Sequence, residues 1–178
     1  MINGDGLVAQ AKGLPARSQM VLGLVLAWLL QPFLRFDDTE HGQQRGDACR
    51  RLLDQALGDV EAGPSATLVE DVASTEEQQL EEEPDGPGAF RVDFVDALAY
   101  ALESGQGSEQ AMGWCLQRVE ASLYHAAEAG LAFEPPGLDG QFLEVVDILS
   151  GASSIDQELV ARLQEVIATS RDQLVQKA

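Results

Sequence analysis

Residues Met20 to Leu30 read MVLGLVLAWLL, and no other stretch of the chain is so continuously apolar. A helix formed there is greasy on every side, so other elements must enclose it. It is shorter than the roughly 20 apolar residues that a membrane span needs. Its length also suits a signal-peptide core of roughly 7–15 residues. Lys12 and Arg17 precede it, as in a signal-peptide n-region. Against that alternative, Gln31-Pro32-Phe33-Leu34-Arg35-Phe36 offers no small-x-small cleavage site. The expectation is a central core helix in a small all-helical domain, with later amphipathic segments packed around it.

The 178 residues suit one domain, long enough to bury a sizeable core without disulfides or metals. Met1 to Gly13, with Gly4, Gly6 and Gly13, reads as a frayed tail. Pro15 can open the central helix, and Pro32 must end or kink it. Asp37 to Arg45 reads as a polar loop, with Asp47 capping a second helix. That helix carries the stripe Leu52, Leu53, Ala56, Leu57 and Val60, and Gly63-Pro64 stops it. Ser65 caps a weaker helix with Leu68, Val69 and Val72. Ser74 to Gly88 reads as an acidic Pro/Gly loop inside the domain.

The next helix, from Ala89 to Ser104, turns Phe90, Phe94, Ala97, Leu98 and Ala101 inward. Ser108 is expected to cap a long helix carrying Met112, Cys115, Leu116, Val119, Leu123 and Ala126, ended by Gly130. The short link between these two helices implies an antiparallel hairpin. Pro135-Pro136 marks an extended connection, and Leu138 to Leu149 carries Phe142, Val145, Val146 and Leu149. Ser154-x-x-Gln157 resembles a capping box before the last helix. The fold class is thus an all-α single-domain bundle of about six or seven helices spanning 14–178.

Thirty acidic residues oppose eleven basic ones, for a formal net charge of −19. Such a charge repels phosphate backbones and anionic lipid surfaces, so neither nucleic-acid nor membrane binding is expected. Between Asp54 and Asp96 thirteen acids are opposed by Arg91 alone. Glu76, Glu77, Glu81, Glu82, Glu83 and Asp85 are read either as a solvated loop or as a docking surface for a basic protein partner, in the manner of an adaptor or nucleic-acid mimic. On the last helix Ile155, Leu159, Leu163 and Val166 form the expected exposed seam for self-association into a homodimer. The leading expectation is a non-enzymatic protein–protein interaction module.

Cys49 and Cys115 are the only cysteines and form no C-x-x-C pair. Buried free thiols in a reducing cytoplasm are expected, with a single disulfide as the alternative. His41 stands beside Glu40 with no further ligand nearby. His125 follows Glu120 at a spacing that departs from the Glu-x-x-His of helical di-iron sites. No phosphate loop, nucleophile elbow or zinc signature is present. No catalytic residue, cofactor or metal site is therefore assigned. Trp28, Tyr100, Trp114 and Tyr124 fall at helical positions as core or edge-of-core aromatics. A ligand-binding or enzymatic pocket near Trp28, Trp114 and His125 is the third reading.

The order of features carries a resemblance. Leu26-Ala27 precede Pro32, and Gly46-Asp47 lead into Arg50-Arg51-Leu52-Leu53-Asp54. Asp96-Ala97 follow on a later helix, then the long helix from Ser108 to Gly130 and the closing helix from Ile155 to Leu174. This resembles the bacterial family called domain of unknown function 416, over about Leu14 to Val175. The resemblance implies a compact all-helical cytoplasmic protein and no particular activity. That family typically carries Glu-Arg before its proline and Asn-Tyr after it. Here Leu29-Leu30-Gln31 precede Pro32 and Phe33-Leu34 follow, so a site built from those polar residues would be lost.

Overall fold

Pro15 opens α2 (Ala16–Leu30), and its fixed φ of −54° suits that position. From Met20 to Leu30 every side chain of α2 is buried except the half-buried Trp28. The computed structural model explains how this is achieved: α2 packs against α1 (Asp5–Lys12), α3 (Glu40–Gly58), α5 (Ala89–Gly105), α6 (Ala111–Glu128), α7 (Leu138–Gly151) and α8 (Gln157–Val175). The remaining helix, α4 (Ala66–Glu81), leans on α3 and α5. The structure describes residues 5–81, 88–128, 130 and 137–175. Among them are eight α-helices and no strand, so the chain is an all-α bundle around the apolar helix.

The tightest crossing is that of α2 with α5. A Cβ placed on Gly23 would lie 2.5 Å from the Ala101 Cβ and 3.2 Å from the Cys115 Sγ. Gly23 therefore lets three helix backbones approach where any side chain would wedge them apart. Pro32 ends α2 as expected, and residues Gln31–Arg35 continue as a 3-10 turn that buries Phe33 and Leu34. The helical stretch Ala16–Arg35 is long and apolar enough to cross a membrane, and 78% of its most apolar window is buried inside this fold.

Several boundaries differ from the sequence reading. Residues 5–12 of the expected tail form α1, whose Ala11 is fully buried. The expected loop from Asp37 to Arg45 is mostly helical, because the N-cap of α3 is Thr39, not Asp47. The Thr39 side chain accepts from the Gly42 N–H at 3.0 Å and its hydroxyl donates to Asp37 Oδ1 at 2.6 Å. A Cβ on Gly42 would strike the Asp37 carboxyl group, so the glycine makes room for this cap. Asp37 in turn pairs with the buried Arg91 of α5. The Thr39 hydroxyl and Arg91 hold the Asp37 carboxyl below its ordinary range.

Helix α4 begins after Ser65 as expected, with the Leu68 N–H donating to Ser65 Oγ at 3.1 Å. It continues through Glu81, so the first half of the expected acidic loop is helical. The expected extended connection at Pro135-Pro136 lies outside the described residues. Helix α6 starts at Ala111, three residues after the expected Ser108 cap. The start of α8 is capped by Asp156, whose Oδ1 accepts from the Leu159 N–H at 2.9 Å while its Oδ2 accepts from the Ser154 hydroxyl at 2.8 Å. The C-terminal end of α3 is closed from two sides. Gln157 donates to Leu57 O at 2.7 Å, and Arg17 donates to Val60 O at 2.6 Å in the turn just beyond the helix. Cys49 and Cys115 are buried free thiols. Burial pushes them up to about 11 and about 12, which makes both poor nucleophiles.

Candidate functional site

Helices α5 and α6 form the expected hairpin, and its register brings polar residues together. Asp93, Asp96 and Tyr100 lie along one stripe of α5, at spacings of three and four. Trp114, Arg118 and His125 lie along one stripe of α6, at spacings of four and seven. Because the helices run antiparallel, the stripes pair as a ladder. The rings of Tyr100 and Trp114 lie 5.4 Å apart, tilted by 52°. Arg118 Nε stands 2.7 Å from Asp96 Oδ2, and its Nη1 lies 3.6 Å from Asp93 Oδ1. At the far end His125 Nδ1 lies 3.7 Å from Asp93 Oδ2, too far for a hydrogen bond. Helix α4 adds a fourth carboxyl-bearing contact: Glu76 shares a hydrogen bond with Asp96.

The electrostatics follow from burial. Asp93 is 5% exposed and Asp96 3%, and that desolvation raises both carboxyl groups above their ordinary range. Arg118 opposes the rise at each, and His125 opposes it at Asp93. Glu76 is raised first by burial and then by the neighbouring Asp96 charge. Their shared hydrogen bond raises Glu76 and lowers Asp96. Tyr100 is also raised, by burial and by Asp96. Asp93 Oδ2 is buried with no hydrogen-bond partner among the described residues. Three carboxyl groups thus share the one Arg118 guanidinium at the surface edge of the core.

Beside the cluster lies exposed aromatic surface. Trp114 is 42% exposed and Tyr124 55%, both on the outer side of α6. The Tyr124 hydroxyl donates to Glu128 at 2.6 Å, and its ring meets His125 edge-on at 6.1 Å. Glu103 lies close enough to Tyr100 and Glu76 to act on both electrostatically. Among the described residues no group of three or more His, Cys, Asp and Glu side chains is arranged to hold a metal ion.

The residues singled out from sequence are distributed as follows. Of the acidic run, Glu76 belongs to the cluster and Glu77 is exposed on α4. Glu81 closes α4, and Glu82, Glu83 and Asp85 lie outside the described residues. On α8 Leu163 is fully buried and Leu159 and Val166 are half-buried, as is Ile155 just before the helix, all against the same core. The stripe packs against the core with part of Ile155, Leu159 and Val166 left at the surface. Trp114 and His125 flank one cluster, whereas Trp28 belongs to a separate neighbourhood under Arg171. His41 is exposed in the first turn of α3.

Sequence reasoning missed Asp93, Asp96 and Arg118. A signal was available, since Asp93 and Asp96 are the two carboxylates inside the apolar run from Phe90 to Leu102. Their spacing sets them on one face beside Tyr100. The chain matches no protein-family model, and no curated protein or solved structure matches it.

Proposed function

We propose that this chain is a non-enzymatic interaction module that receives a basic protein segment on the α5–α6 face. The carrying observation is Trp114 and Tyr124 standing in solvent beside buried carboxylates. Large aromatics are enriched at binding hot spots, where they supply contact area at small entropic cost. A lysine or arginine over the Trp114 ring gains a cation–π contact, with Glu103 near at hand. Exposed acids along α4, among them Glu70, Asp71 and Glu77, would steer such a partner. The two buried free thiols favour a reducing, cytoplasmic setting for this reading.

A homodimer across the same face is the second reading, favoured by the exposed aromatic surface. It would press two acidic surfaces together, so it should strengthen as salt screens them. Capture of a basic partner should weaken with salt instead. The test is affinity capture from native lysate at low and high salt with wild type and Trp114→Ala, beside light scattering of the purified protein. The proposal expects basic proteins retained at low salt and lost with the substitution, on a monomeric protein. Capture indifferent to both salt and Trp114→Ala would refute it. A dimer that grows with salt and dissolves on Trp114→Ala would establish the second reading.

A further inference from the structure

A separate cavity lies where the end of α2 meets α3 and α8. It encloses about 370 Å³ and is lined by Gln31, Pro32, Arg35, Arg50, Arg171 and Asp172. That volume falls within the range of about 300–1,000 Å³ usual for small-ligand pockets. Its lining carries three guanidinium groups and one carboxylate, a net two positive charges. In a chain with only eleven basic residues and a net charge of −19, this concentration of arginine needs a cause.

The arginines differ in how they are held. Arg171 is fixed on three sides: its guanidinium lies 4.2 Å from the centre of the Trp28 ring, its Nε donates to Trp28 O at 3.3 Å, and its Nη2 donates to Gln31 Oε1 at 2.8 Å. The stack and the two acceptors orient its planar fork at the cavity. Arg50 is partly neutralised by Asp47, one turn earlier on α3. Arg35, in the 3-10 turn, is exposed and makes no ion pair or hydrogen bond among the described residues. Burial lowers the Arg171 pKa from its ordinary value, the Asp172 charge opposes that, and the charge on Arg35 adds to it. Two like charges are thus held at one cavity, with the Asp172 carboxylate in the same lining acting on Arg171 and Arg35 left without a partner among the described residues.

We propose that this cavity binds a small dianion, the phosphate group of a phosphomonoester. The surplus of guanidinium groups over carboxylates suits an anion, and guanidinium forks match the paired oxygens of phosphate. The volume left beyond a phosphate accommodates a short organic group. Free inorganic phosphate shares this chemistry, and the experiment separates the two. The site is independent of the α5–α6 face and stands or falls separately from it.

The test is thermal unfolding and calorimetry of the full chain with inorganic phosphate, glycerol phosphate or sodium chloride, all at matched ionic strength. Matching matters because any salt screens a charge of −19 and stabilises the fold without occupying a site. The proposal expects a saturable rise in Tm with glycerol phosphate that chloride does not reproduce. Arg35→Gln, an exposed and fold-neutral change, should weaken affinity at least about tenfold. Arg171→Lys keeps the charge but loses the fork, and should weaken it comparably. Tighter binding of glycerol phosphate than of inorganic phosphate supports the monoester. Equal or tighter binding of inorganic phosphate overturns the monoester assignment. A non-saturable rise matched by chloride, or an Arg35→Gln variant binding as wild type does, overturns the site itself.

Discussion

Asp93 keeps a carboxyl group almost wholly out of water, with one oxygen buried and unsatisfied. Its pKa is raised above the ordinary value of 3.8, with burial the main cause, and Asp96 and Glu76 are raised for the same reason. The sign of the pH effect follows. An acid raised on folding holds more protons folded than unfolded across the window between its two values. Its contribution to stability is complete below the unfolded value and is lost as pH rises through the folded one. Asp37 is lowered and works the opposite way, contributing above 3.8 and failing as pH falls through its folded value. Asp93→Asn should therefore raise Tm at pH 7, by about 2–4 °C for each kcal/mol of relief. Arg118 is half-exposed and keeps Asp96 as partner, so the change leaves no isolated buried charge. The gain should shrink as pH falls through the raised folded-state value of Asp93. A thermal scan showing a pH-independent gain, or a loss at pH 7, would contradict the burial argument.

At the level of helices, the Gly23 crossing is the most sensitive place. Gly23→Ala must push apart α2 and α5, because the new methyl would meet the Ala101 Cβ and Cα. It should cost about 1–3 kcal/mol by denaturant unfolding, although alanine is the better helix former. Leu163→Ala separates two roles for α8. As a core residue it should cost about 2–5 kcal/mol and leave the oligomeric state unchanged. Unaltered stability with a changed mass by light scattering would instead make α8 a seam.

These elements also explain what could be read in advance. The central helix was legible because eleven successive apolar residues allow no exposed side. The inner faces of α5 and α6 were legible because their apolar spacing is helical throughout. The start of α3 was not, because Glu40 to Gly46 is polar and contains two glycines. There the helix is set by tertiary contacts: Gly42 makes room for Asp37, which Arg91 holds from another helix. The ladder of Asp93, Asp96 and Arg118 depends on hairpin register, which no single stretch of sequence contains. The arginine cavity draws on three segments, the last more than one hundred residues beyond the other two and out of reach of local pattern.

For the whole molecule the dominant quantity is charge. With −19 spread over 178 residues, self-repulsion opposes the compact state. Raising sodium chloride from about 10 mM to about 0.5 M shortens the screening length several-fold and should raise Tm. Mild acidification from pH 7 should do the same, both by reducing net charge and by relieving Glu76, Asp93 and Asp96. Below 3.8 the Asp37 contribution fails and stability should turn over. A Tm insensitive to salt would mean that the charges are already neutralised locally.

The reach of Arg171 back to Trp28 and Gln31 has a consequence for biosynthesis. The helix that seals the far end of the oiliest segment is translated about 140 residues after it, at roughly 5–20 residues per second. For several seconds after α3, α5 and α6 are made, the nascent polypeptide keeps one flank of its hydrophobic rod uncovered, a surface that chaperones sheltering unfinished chains would recognise.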